Sequence, residues 1–241
     1  MKWSEFFTSS IGKKFIMSLT GIFLISFLVV HVGVNACIWA NDGGETFNLA
    51  SHFMGTTVVI RILEVGLFAG LILHTVQGLA LEVQNRGRRR NGYAVNLGNR
   101  GSKWYSRSMG LLGTLLLFFL VIHLANFWVP SRFGELPTVE INGKQVANQY
   151  AEIVRVFQNP LVDVLYIIGC ASLLYHLLHG FQSAFRTLGV PNGRYMRIIH
   201  IAGYSFAVIV SVAFAMMPVS VYRTAAVECA SWPSQLPTSN G

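Results

Sequence analysis

Apolar residues run through this chain in five stretches of spanning length, roughly 15 to 40, 57 to 82, 105 to 130, 156 to 185 and 196 to 219. About 20 consecutive apolar residues suffice for a helix to cross the hydrocarbon of a bilayer, and within these stretches polar residues stand singly. Charges collect between the stretches. The pattern predicts an all-α integral membrane fold of five transmembrane helices over residues 1–220, followed by a short, partly disordered tail at 221–241. The connections hold too few residues for a soluble domain.

With 53% hydrophobic and 12% charged residues, the chain is far more apolar than a soluble domain. The net charge of +8 would by itself suit nucleic acid, but its placement excludes that partner. Lys2, Lys13 and Lys14 precede the first span, Arg86, Arg88, Arg89, Arg90, Arg100, Lys103 and Arg107 separate the second from the third, and Arg186, Arg194 and Arg197 separate the fourth from the fifth. Thirteen of the 18 basic residues thus share one side. By the positive-inside rule that side is cytoplasmic, so the chain is a multi-pass protein of the cell inner (cytoplasmic) membrane with its N-terminus inside and its C-terminus outside. The outer connections carry Asp42, Glu45, Glu135, Glu140 and Glu152. The RGRRR run at 86–90 reads both as a topology determinant in contact with anionic lipid and as a docking surface for a cytoplasmic partner. The first apolar run is longer than the core of a secretory signal, which predicts a retained helix.

Four of the five stretches carry a histidine deep inside them, and an ionisable group in the bilayer is costly enough to mark a functional position. At about 1.5 Å per residue, His31 sits roughly 25 Å from Lys14 and His123 roughly 28 Å from Trp104, counted from the cytoplasmic ends of outward-running helices. His74 lies roughly 12 Å before Glu82 and His176 roughly 15 Å before Arg186, counted from the cytoplasmic ends of inward-running ones. The set therefore divides into an outer pair and an inner pair, roughly 10 to 15 Å apart in height. His74 and His176 are each followed one turn later by a glycine, Gly78 and Gly180, which leaves backbone without a side chain beside an imidazole. A flat, bulky cofactor fits such a place, and two bis-histidine haems stacked across the membrane fit the two levels. No C-x-x-C-H motif is present, so the haems would be of the non-covalent b type. His179 competes with His176 as the fourth ligand; it points about 60° away around the helix, and Gly180 lies about 40° from His176 but about 100° from His179. His200 stands near the cytoplasmic start of the fifth span, whose helix is expected to pack beside the haem core.

The remaining polar positions carry weaker signals. His52 falls in the first outer loop, where a histidine is ordinarily solvated. Arg61 and Glu64 are three residues apart at the outer end of the second span, spaced for an interfacial ion pair or for a proton relay. Cys37 and Cys229 fall outside, where a disulfide is permitted, and Cys170 is buried as a small hydrophobe.

At these residues the chain resembles the diheme cytochrome b subunit of succinate:quinone oxidoreductases, the succinate dehydrogenases and fumarate reductases with a single five-helix anchor. The resemblance runs from about residue 10 to 215 and rests on GIFLISFLVVHVGVN, FNLASHF, ILHTVQG, FFLVIHL and YHLLHGFQSAFRTLG. It implies that His74 and His176 bind the inner haem and His31 and His123 the outer one, within a bundle made by the first four helices. It further implies a flavoprotein and an iron-sulfur subunit on the cytoplasmic side, open to a higher oligomer of the complex, and a quinone, menaquinone in diheme members. Two features depart from the family. Leu174 stands where some members carry a glutamate two residues before the fourth ligand, and the third outer connection, PSRFGELPTVEINGKQVANQYAEIVR, is long.

The expected function is that of a redox wire. Imidazoles on both faces of each iron leave no open position, so the haems pass electrons and do not activate oxygen. The chain would be the quinone-reactive membrane subunit of a larger enzyme and no dehydrogenase on its own, with a quinone site at the outer surface formed by His52, Arg61 and Glu64, beside Asn126 and Asp163. Cytochromes of the bc type are excluded, since they place two ligands about four turns apart on one helix. A diheme b subunit of a nitrate reductase or hydrogenase, a haem-free anchor and a transporter with an intramembrane proton relay stay open as alternatives.

Overall fold

The structure, a computed structural model, describes residues 9 to 88, 103 to 190 and 193 to 231. Lys2, Arg89, Arg90 and Arg100 lie outside these residues, as do the side chains of Arg88 and Cys229 and the last ten positions of the expected tail. Ser9 caps helix α1 (Ser10–Ala36) by accepting a hydrogen bond from the Gly12 amide at 3.0 Å. A 3-10 turn extends α1 to Ala40 and stops at Asn41, which adopts the left-handed conformation with φ 56°. Helices α2 (Glu45–Thr56) and α3 (Val58–Arg88) follow, divided at the extended Thr57. After the short α4 (Trp104–Arg107) comes α5 (Met109–His123), a π-helical segment at Leu124–Trp128, and α6 (Val129–Phe133). The widened turn has a cause in the sequence. Pro130 offers no N–H to the carbonyl four residues back, and the Val129 amide bonds to Leu124, five back.

Among the described residues, five helical spans are long and apolar enough to cross a membrane: Ile11–Ala40, Val58–Gly87, Met109–Phe133, Pro160–Thr187 and Gly193–Arg223. At about 1.5 Å per residue all exceed a hydrocarbon core of about 30 Å. They belong to α1, α3, α5 with its extensions, α8 (Pro160–Thr187) and α9 (Gly193–Ser231). The chain is a helical, multi-pass membrane protein. Helix α8 is the axis of the packing and touches α1, α5 and α9. Helix α9 continues beyond residue 220, through a buried Pro218, into the segment read as a tail.

The connections expected on the outer side, whose end of the bundle is termed the outer end, are folded. Residues 45–56, expected as loop, form α2, because the Asp42 carboxylate accepts from the amides of Gly44 at 3.1 Å and Thr46 at 2.9 Å and organises the first turn. The hydrogen bonds from Thr46 hold the Asp42 carboxyl below its ordinary value. The long third connection holds a β-hairpin, β1 (Thr138–Ile141) against β2 (Lys144–Ala147), turned by Asn142 at φ 52° and Gly143 at φ 73°. Asn-Gly is the pair that a tight hairpin turn with two positive φ angles favours. Helix α7 (Gln149–Phe157) then lies across the outer end of the bundle and buries Ile153, Val156 and Phe157 with Phe47 of α2 and Tyr166 of α8. The buried Asn48 locks this cap, donating to Asn148 Oδ1 at 3.1 Å and accepting from the Tyr150 amide at 2.9 Å.

Candidate cofactor sites and the outer carboxylates

The four spanning histidines meet two by two. His74 of α3 faces His176 of α8 with ring centres 6.2 Å apart, and His31 of α1 faces His123 of α5 with centres 5.8 Å apart. Three helices measure the height between these pairs independently. On α1, Thr20 touches His74 while His31 belongs to the other pair, eleven residues away, a rise of about 16 Å. On α5, Gly113 stands against His176 and His123 follows ten residues later; on α8, Tyr166 packs on His123 ten residues before His176. Each of these separations is about 15 Å.

The imidazoles suit a metal of the haem type. An iron bound at about 2 Å to one nitrogen of each ring requires ring centres about 6 Å apart, the spacing of both pairs. His123 Nδ1 and His176 Nδ1 are buried without a hydrogen-bond partner. At the inner pair, the Thr20 hydroxyl donates to the Ile16 carbonyl at 2.8 Å, so it accepts from His74 Nδ1 at 3.1 Å. That bond fixes the tautomer with a bare Nε2, the form a metal ligand needs. At the outer pair, Asn35 donates to the His31 carbonyl at 2.8 Å and stands 3.4 Å from its Nδ1.

The surroundings of the two pairs differ. Around the inner one the facing helices present glycine: a Cβ at Gly21 would come within 3.5 Å of His74, one at Gly113 within 3.9 Å of His176, and one at Gly180 would meet nothing within 4 Å. Gly78 faces Met17. The outer pair is enclosed by aromatic rings, with Phe27 stacked on His31 at 5.1 Å, Phe119 on His123 at 5.6 Å, and Phe127 and Tyr166 at 5.4 and 6.0 Å from His123. Helix α9, expected beside the core, reaches into it with Phe214, 5.3 Å from His31. His176, not His179, is the ring that faces His74, and His200 lies 3.2 Å from the Arg186 guanidinium at the inner end.

Of the residues expected at an outer quinone site, His52 is exposed on α2 and Arg61 is exposed on α3. Glu64 is fully engaged. One oxygen accepts from Trp128 Nε1 at 2.6 Å and Arg132 Nε at 3.1 Å, and the other from Arg132 Nη2 at 3.0 Å and Arg61 at 3.4 Å. Arg132 also donates to the Gly55 carbonyl at 3.3 Å, so one guanidinium ties α6 to both α2 and α3. Asn126 donates to the Tyr166 hydroxyl at 3.1 Å, and Asp163 is buried one turn outward on α8. Thr20, Gly21, Gly113 and Arg132 have roles here that the sequence reading missed. For Arg132 a signal existed: a cation at the outer end of the third span, level with the acid of the second.

Fold and site together define a class, a five-span helical membrane bundle with two stacked imidazole pairs. Among known proteins, the chain is similar to the succinate dehydrogenase cytochrome b558 subunit of Bacillus subtilis (strain 168), with 28% identity over 180 residues that cover 72% of this chain and 77% of that one. No family model and no solved structure matches it.

Proposed function

We propose that the chain is the membrane cytochrome b subunit of a succinate dehydrogenase or fumarate reductase complex. It would anchor the flavoprotein and iron-sulfur subunits on the cytoplasmic side and pass electrons between the iron-sulfur centres and membrane quinone, menaquinone by family resemblance. The observation that carries this reading is the meeting of four imidazoles in two pairs about 15 Å apart in height, and the likeness to a cytochrome b558 subunit supports it. His74 and His176 would hold the inner haem b, His31 and His123 the outer one. Bound there, the haems would supply reversible one-electron transfer with no position open to oxygen.

The chain's own residues divide the remaining work. Thr20 orients His74 through its Nδ1, and Gly21, Gly113 and Gly180 keep side chains out of the inner level. Phe27, Phe119, Phe127 and Phe214 surround the outer pair with apolar rings. The basic connections at the inner ends of the spans would seat the catalytic partners by charge. Quinone would exchange at the outer end near Arg61, Glu64 and His52.

A pyridine haemochrome assay on the purified chain tests the reading. The expected result is two haems b per polypeptide; a transporter or a haem-free scaffold gives none.

A further inference from the structure

Several ionisable groups described at the outer end of the bundle are held by partners, and others, among them Glu45, His52, Glu135 and Glu140, are exposed to solvent. Glu64 is held by Arg132, Trp128 and Arg61, Glu152 by Arg155, Asp42 caps α2, and the Tyr166 hydroxyl accepts from Asn126. Asp163 stands apart. It is 8% exposed, and its Oδ1 is buried without any hydrogen-bond partner. A carboxyl group left in that condition is costly, whichever form it takes, unless the position does something else. It lies in the first turn of α8, where the helix N-terminus favours an anion, while the apolar cluster of Phe47, Phe157 and Val221 around neighbouring Tyr166 favours a neutral acid. One turn deeper, the ring of Tyr166 reaches His123 at 6.0 Å.

We propose that Asp163 is the charge-compensating group of the outer level, which takes up a proton when an electron arrives there and releases it when the electron leaves. This rests on the reading of the outer pair as a haem site. The balance is simple. The metal held by His31 and His123 gains one electron, a proton from the outer solution forms one O–H bond on the Asp163 carboxylate, and the net charge of the region is unchanged. Asp163 is a positioning residue in this scheme, acting through the field at the imidazole pair without touching it. The other titratable or charged groups at this end of the elements packed against α8 are His31 and Cys37 of α1, His123 of α5, Tyr150, Glu152 and Arg155 of α7, Tyr222 and Arg223 of α9, and, on α8 itself, Tyr166 and Cys170.

Reduced-minus-oxidised infrared difference spectra of the purified holo-complex test it. A carbonyl band of a protonated carboxylic acid should appear on reduction, shift in deuterated water, vanish in Asp163→Asn and return in Asp163→Glu. Haem content is measured on the same samples. Two haems in Asp163→Asn with the band undiminished would overturn the proposal, and so would loss of a haem in that variant, which would mark Asp163 as structural. A wild-type chain with no haem would defeat the cofactor reading itself, a failure distinct from either.

Discussion

Replacing His74 or His176 with alanine should halve the haem content of the chain, from two to one, and both variants should lose the same haem. Each replacement removes one of two facing imidazoles, and the partner ring then stands alone across a gap that an alanine methyl cannot bridge. His31→Ala and His123→Ala should each remove the other haem, for the same reason at the second level. His179→Ala should keep both, since the ring that meets His74 is that of His176. Haem stoichiometry and low-temperature absorption spectra of the purified variants separate the cases. Loss of one common haem from His74→Ala and His123→Ala would refute the pairing, and loss of a haem from His179→Ala would move the fourth ligand.

The heights of these histidines are legible in the sequence because a membrane helix is a ruler. Each residue adds about 1.5 Å and the basic loops mark a common zero, so four positions in four spans translate directly into two levels. The spans themselves are legible for the same reason that a bilayer tolerates little else, namely that every backbone group must be satisfied inside its own helix. What surrounds the histidines is harder to read. Gly21 and Gly113 matter for their place opposite an imidazole on another helix, and periodicity within one span says nothing about the rotation of its neighbour. Phe214 is one of many apolar residues in α9, and nothing local marks it as the one that turns toward His31.

The outer cap was hidden differently. TVEI and KQVA around Asn142-Gly143 form a strong hairpin signal, easily passed over when the segment is counted only as a spacer between two spans. The partner of Glu64 was hidden by distance. Its neighbour in sequence, Arg61, bonds it at 3.4 Å, while the shorter and doubled contact comes from Arg132, 68 residues away. Local spacing found the weaker cation because i, i+3 pairs can be counted and tertiary ones cannot.

That clamp leads to the second large effect, expected for Glu64→Ala. The substitution leaves the Arg132 guanidinium and the Trp128 N–H, both partly buried, without their acceptor, and releases the outer end of the third span from the second. Breaking a fully buried pair costs about 3 to 5 kcal/mol. Side-chain exposures of 20% for Arg132 and 19% for Glu64 admit some solvent and reduce that figure to about 2 to 3 kcal/mol. For a chain of this size, the loss corresponds to a fall of roughly 5 to 10 °C in the unfolding midpoint in detergent. Arg132→Leu should cost a similar amount by removing the doubled contact and leaving Glu64 only Trp128 and Arg61, and the double variant should cost clearly less than the two added together, because each single change already destroys the same contact. Arg61→Ala should shift the midpoint little, since Arg61 is half exposed and bonds Glu64 at the longer distance. Strictly additive losses in the double variant would mean that Glu64 and Arg132 act separately, and Glu64 would then be free to serve the quinone as a proton acceptor. Non-additive losses bind Glu64 to its structural partner.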